Sequence, residues 1–345
     1  MKTTFKITAL LILVIVIGAG RTTLAVEKTK KYHESWPASG VETLDISNRF
    51  GEVKFKNDGG SEITIDVLIT VEASGESKAN DLLNKIDVTF SKSGNVVKAV
   101  TSIENNFNSQ RSFSIDYTIN VPSDKNLRVA NKYGNVVVNK LTGSGEFDVQ
   151  YGNITAVSLK GASTRLNLAY GKGNITETGN METNLGYSNI TIGETGDLRL
   201  ESKYSTVDLE KAKNIQTESK YDKLNFGEIT SVKANTKYTQ IRIASLAKSL
   251  LITSGYGGVK VDKIAPDFDS VNITNSYGQI SLGLGGTSYT VDARCDYCGI
   301  SYPQERYKGN RLKENTSIQI QGKIGTAGGG NVVVKSRYGE IKLGE

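Results

Sequence analysis

Residues 187–237 read YSNITIGETGDLRLESK, YSTVDLEKAKNIQTESK and YDKLNFGEITSVKANTK, three consecutive 17-residue segments that each open on a tyrosine. Three residues after the tyrosine stand Ile190, Val207 and Leu224, and five after it Ile192, Leu209 and Phe226. Polar residues separate them, so apolar positions alternate with a period of two, the pattern of a half-buried strand. A second alternating run follows in each segment: Leu198, Ile215 and Val232, then Leu200, Thr217 and Ala234, then Ser202, Ser219 and Thr236. Counting on by twos reaches the next tyrosine. This parity predicts an inward tyrosine, with small neighbours making room for its ring. A parity shift across the tyrosine and its successor requires a bend, and another shift near Ala212 and Ile229 requires a further corner. Helices are excluded by the two-residue period and by the β-branched and aromatic content. The leucine-rich repeat pattern is missing as well.

The same signature extends in both directions. An aromatic followed by a turn residue occurs at Phe50-Gly51 and at Tyr133, Tyr151, Tyr170, Tyr187, Tyr204, Tyr221, Tyr238, Tyr256, Tyr277, Tyr297 and Tyr338, which are eleven of the 16 tyrosines. Apart from a 41-residue interval before Tyr338, the spacing from Tyr133 onward is 17–21 residues. Such a period marks a solenoid. The predicted fold is all-β: a right-handed parallel β-helix with rungs of about 17–21 residues, like side chains stacked on like. At about 4.8 Å per rung, ten rungs make a rod of roughly 50 Å. The long last interval fits one unmarked rung plus an insertion near residues 303–330, which carries Arg306, Lys308, Arg311 and Lys313.

Residues 1–25 read as an export signal, with Lys2 and Lys6 ahead of a 14-residue apolar run and small residues before a cleavage point at Ala25. No later run is long and apolar enough to span a bilayer. Removal of the signal lowers the net charge from +6 to +3, which does not suggest a nucleic-acid partner. Residues 26–126 lack the short period and read as a β-rich cap. They hold strands near 62–71, 86–90, 95–100 and 112–121 and one short helix near 76–85, with Ser74 as its expected cap. Residues 127–345 form the repeats.

At the junction, residues 117–138 (YTINVPSDKNLRVANKYGNVVV) and residues 336–343 (SRYGEIKL) resemble the repeated element of a bacterial "putative adhesin" family of unknown function, related to the head domains of autotransporter adhesins. The resemblance implies an exported β-repeat protein and adhesion. It brings no catalytic residues.

Composition narrows the chemistry. A single histidine excludes multi-histidine metal sites and makes His33 the one candidate for a histidine-dependent nucleophilic engine. Two cysteines cannot build a four-thiolate zinc site. Cys295 and Cys298 sit on the repeat without a βαβ context, which argues against a redox centre and leaves two readings open, a local disulfide stapling that corner or two unbonded thiols. No cofactor is expected. Asp262, Asp267, Asp269, Asp292 and Asp296 offer oxygen ligands or an acid–base pair, the basis of an alternative reading as a polysaccharide lyase or hydrolase. Surface solvation explains them more simply. Lys203, Lys220 and Lys237 fall at one repeat position, with Glu201 and Glu218 beside them. They make either a solvated face or a charged strip for an acidic glycan. The leading expectation is a non-enzymatic exported envelope protein that binds a surface ligand, glycan or protein, with open edges offering self-association. A passive envelope scaffold is the third reading.

Overall fold

The computed structural model describes residues 25–57, 60–326 and 328–344. The proposed export signal lies outside the described residues, apart from Ala25. The described chain is predominantly strand, joined into one continuous hydrogen-bonded network of 28 strands. The repeats wind as a β-solenoid whose rungs pair in parallel. Val207 pairs with Ile190 below and Leu224 above, and Leu209 pairs with Ile192 and Phe226. The second run of each rung stacks likewise: Leu198 on Ile215, and Ile215 on Val232.

One rung shows why 17 residues suffice. The buried positions are Val207, Leu209, Ala212, Ile215, Thr217, Ser219 and Asp222. Steps of two are strand. Each step of three marks a corner, where two successive residues face water. Corners therefore fall after Leu209, after Ala212 and after Ser219. Every inward Val, Ile or Leu is fully enclosed by its own rung and the two adjacent ones, at roughly 1.5–3 kcal/mol each. No rung has a core of its own.

The amino-terminal region is woven into the same stack. β1 (Val26–Pro37) pairs antiparallel with β4 (Glu62–Ala73), while β2 (Thr43–Arg49) and β3 (Val53–Lys56) form the rung of Phe50. α1 (Glu76–Asn84) buries Ala79, Leu82 and Leu83. Its N-cap is Gly75, with no side-chain cap bond, so the expected cap at Ser74 is displaced by one residue and by chemistry. β5 (Ile86–Ser93) leads back to β6 (Val96–Ile103), which pairs parallel with β2, and β7 (Phe113–Asn120) pairs parallel with β3. Residues 96–120 thus add a rung outside that of Phe50, although they come later in the chain. β5 covers one sheet edge antiparallel, and β4 followed by β1 covers the other, so the parallel stacking of rungs stops there.

The carboxy-terminal end repeats this device. Asn331–Arg337 lies between Ser270–Ser276 and Tyr289–Asp296, pairing with both. The interval between Tyr297 and Tyr338 therefore holds no unmarked rung, contrary to the expectation from spacing. It holds an antiparallel hairpin, Tyr307–Glu314 and Ser317–Ile324, which extends the sheet from Tyr289–Asp296.

Candidate binding surface

Phe50 and the eleven repeat tyrosines all have φ between 53° and 64°. This left-handed conformation breaks strand alternation, so the residue before the tyrosine and the tyrosine itself both face outward. The inward placement expected from parity is therefore wrong: the rings are 42–54 % exposed. The inward position belongs to the next residue, Ser188, Ser205, Asp222 or Thr239, each buried. The missed signal was the three-residue step from Ser219 to Asp222, the same step that makes the other corners.

The rings form one column. Phe50 stacks on Tyr133, then follow Tyr151, Tyr170, Tyr187, Tyr204, Tyr221, Tyr238, Tyr256, Tyr277, Tyr338 and Tyr297, with centroids 4.7–5.1 Å apart and planes within 19°. Phe113, itself met by Phe107, covers Phe50 at the amino-terminal end. Because neighbours occupy the ring faces, the ladder presents edges and hydroxyls to water. Lys132 lies over Tyr133 and Tyr151 at 5.1 and 5.6 Å, and Arg337 over Tyr338 and Tyr297 at 5.3 and 6.0 Å.

Backbone chemistry behind the ladder explains its spacing. The tyrosine N–H donates to the rung above, as from Tyr187 to the Lys203 carbonyl at 3.0 Å and from Tyr204 to the Lys220 carbonyl at 3.1 Å. Where glycine follows the tyrosine, the rungs are in backbone contact: a Cβ on Gly152 would lie 1.9 Å from the Gly134 oxygen. In the central rungs a polar side chain takes over. Ser188 N–H donates to Ser205 Oγ, Ser205 N–H to Asp222 Oδ1 and Asp222 N–H to Thr239 Oγ1. Asp222 also accepts from Ser202 Oγ at 2.7 Å, from Ser219 Oγ and from the Lys220 N–H at 3.1 Å. Four donors satisfy this buried carboxylate, which makes its burial tolerable.

Beside the ladder, Lys203, Lys220 and Lys237 stack in register one rung apart. None has an ion-pair partner among the described residues. They line a shallow groove of about 680 Å³ together with Tyr187, Tyr204 and Asn235. Glu201 and Glu218 share its floor, and Glu201 is held by Arg199 at 3.8 Å.

Of the aspartates flagged by sequence, Asp267 and Asp269 both act on Lys248, whereas Asp262, Asp292 and Asp296 each have other partners. Asp262 is bound by Arg242 at 2.9 Å and Lys260 at 2.9 Å, whose hydrogen bonds hold its carboxyl below the usual range. Asp267 pairs with Lys248 at 2.8 Å and is lowered by that bond. Asp292 accepts from Gln319 at 3.1 Å. Asp296 bonds Ser317 and Arg294, and the Ser317 bond contributes most to lowering it. Among the described residues no group of three His, Cys, Asp or Glu side chains is placed to hold a metal ion. His33 is exposed on β1, its Nδ1 2.6 Å from Asp66. Cys295 and Cys298 are disulfide-bonded around Tyr297, the last ring of the ladder, with Cα atoms 5.4 Å apart. No helix among the described residues is long and apolar enough to cross a membrane.

No family model and no curated protein matches the chain. Solved structures are similar at low identity. A "putative adhesin" from Parabacteroides merdae is 11 % identical, over 73 % of this chain and 96 % of that one, with a TM-score of 0.42. A "putative cell adhesion protein" from Clostridium sporogenes is 9 % identical over 91 % and 98 %, with a TM-score of 0.24. A "putative lipid binding protein" from Parabacteroides distasonis is 13 % identical over 73 % and 96 %, with a TM-score of 0.33.

Proposed function

We propose that the protein is an exported, non-catalytic binding protein of the cell envelope that holds an extended acidic glycan along the tyrosine edge. One observation carries this reading: three lysines without ion-pair partners, at one-rung spacing, line a groove beside Tyr187 and Tyr204 of the exposed ladder, outnumbering the two carboxylates, Glu201 and Glu218, that share it. A polyanion with a charge about every 5 Å would meet each ammonium in register, and phenol edges and hydroxyls would contact its sugar rings. Many weak contacts in register suit a polymer better than a small substrate. The lyase or hydrolase reading finds its carboxylates bound to cations or hydrogen-bond donors, and no observation favours the scaffold reading over this one.

A glycan array probed with the purified mature chain tests the proposal, with the triple variant K203Q/K220Q/K237Q alongside. The expected result is binding to uronate-containing or sulfated polymers that weakens with added salt and falls at least tenfold in the variant. Equal binding by the variant, or binding only to neutral glycans, overturns the groove assignment.

A further inference from the structure

The carboxy-terminal rung occupies a slot that the rest of the chain builds without it. Residues 270–283 form one wall and residues 289–301 the other; residues 331–344, made after both, fill the space. Each wall relies on this segment for its backbone bonds. Tyr277 and Ile280 N–H donate to the carbonyls of Arg337 and Glu340 on one side, and Tyr338 and Ile341 N–H donate to those of Asp296 and Gly299 on the other. Val332, Val334, Ile341 and Leu343 are buried between the walls. Gly339 is wedged so tightly that a Cβ would lie 2.0 Å from the Gly278 oxygen. The slot is thus a complementary receptor for one segment pattern, and that pattern is this chain's own end.

Two features make the segment exchangeable. The walls are synthesised first, so the slot stands unfilled until the segment follows. The segment arrives through Gly328, Gly329 and Gly330, the first two at φ +93° and +95°, and a Cβ on Gly329 would lie 1.7 Å from the Ser288 oxygen. The intramolecular route therefore depends on glycine at a crowded crossing.

We propose that residues 331–344 of one copy fill the slot of a second copy, reciprocally, joining two solenoids at their carboxy-terminal ends. Exchange keeps every slot contact and changes only which chain supplies it, the low-cost route to a dimer. The hairpin of Tyr307–Glu314 and Ser317–Ile324 stays on its own chain, because it pairs with Tyr289–Asp296 of the slot wall. The short tether favours the intramolecular arrangement at low concentration, so the exchanged form grows with local crowding. Two joined solenoids carry two tyrosine edges and gain avidity for a polymer; that consequence alone rests on the proposed function.

Cross-strand trapping of full-length chains tests this. Thr274 and Lys335 are register partners across the slot, both exposed. A T274C chain and a K335C chain with different affinity tags are co-expressed, exported and oxidised. The expected result is a disulfide-linked heterodimer on non-reducing gels, clearly above a control pairing of T274C with K54C, whose site lies at the other end of the stack. A heterodimer yield equal to control in the otherwise native pair overturns the proposal. So does a T274C/K335C double variant that is wholly internally linked and monomeric at high concentration. Glycan binding is read independently of either result.

Discussion

Replacing Tyr221 separately by alanine and by glycine isolates what the ladder contributes from what its backbone costs. Tyr221 stacks on Tyr204 at 4.9 Å and on Tyr238 at 4.8 Å, with planes within 2°. Each stack is worth about 0.5–1.5 kcal/mol, so either substitution removes about 1–3 kcal/mol. The left-handed conformation, φ +62° here, costs a side-chain-bearing residue about 1–2 kcal/mol. Alanine keeps that cost and glycine removes it. In ordinary strands glycine is the worse residue by about 0.5–1 kcal/mol; at this corner the order should reverse, with Y221G about 1 kcal/mol more stable than Y221A and both below the parent. Urea unfolding followed by circular dichroism measures the order. Hydrogen exchange at the Tyr204 and Tyr221 amides, which bond to the next rung, shows whether the loss stays local, as nearest-neighbour coupling requires. A Y221A chain as stable as the parent would refute the stacking contribution. A Y221G chain less stable than Y221A would refute the corner strain.

The remaining expectations concern the backbone column, the buried carboxylate and the one histidine. G152A should be lost to aggregation or destabilised by more than about 3 kcal/mol, because its Cβ meets a backbone oxygen that cannot move, whereas G186A, with open space around it, should change the melting temperature little. D222A should cost about 3–5 kcal/mol in urea unfolding by leaving buried donors unpaired, and D222S, which copies Ser205, should cost less than half of that. His33 has its pKa raised above the ordinary 6.5, first by the hydrogen bond to Asp66 and then by that carboxylate's charge. Its contribution to stability is present below the unfolded value and disappears as pH rises through the folded one. The single histidine resonance should therefore titrate above 6.5 and return toward it in D66N.

Period and parity made the solenoid legible. Ile190, Val207 and Leu224 stack as their spacing implies because a strand's faces alternate by geometry alone. The tyrosine's direction was not legible by the same count, since one residue at positive φ resets the alternation. Rung order was hidden for a different reason. Asn331–Arg337 and Tyr289–Asp296 carry nearly the same in-out pattern, so either can stack on Ser270–Ser276. Local pattern says that a segment is a rung and leaves its neighbours open. Closure at both ends, by β4 and β5 and by the hairpin, decides the order. The lysine row was visible as a repeat position, but its freedom from ion pairs and its place beside the ladder needed the corner resolved.

The residue chosen at the corner bears on function. A turn at positive φ is served without strain by glycine and at small cost by asparagine. This chain instead uses tyrosine eleven times. Each corner costs about 1–2 kcal/mol in conformation, and each added stack returns about 0.5–1.5 kcal/mol, so the ladder is close to neutral for stability. Averaged over the whole stack, with one stack gained per corner, folding alone therefore gives little reason to build the column from tyrosine instead of glycine. A continuous edge of half-exposed phenols, beside a row of lysines without ion-pair partners among the described residues, is what glycine at the corner would lose while keeping the fold. That asymmetry, a feature nearly neutral for stability yet repeated along the whole stack, points to the edge as the working surface of the molecule.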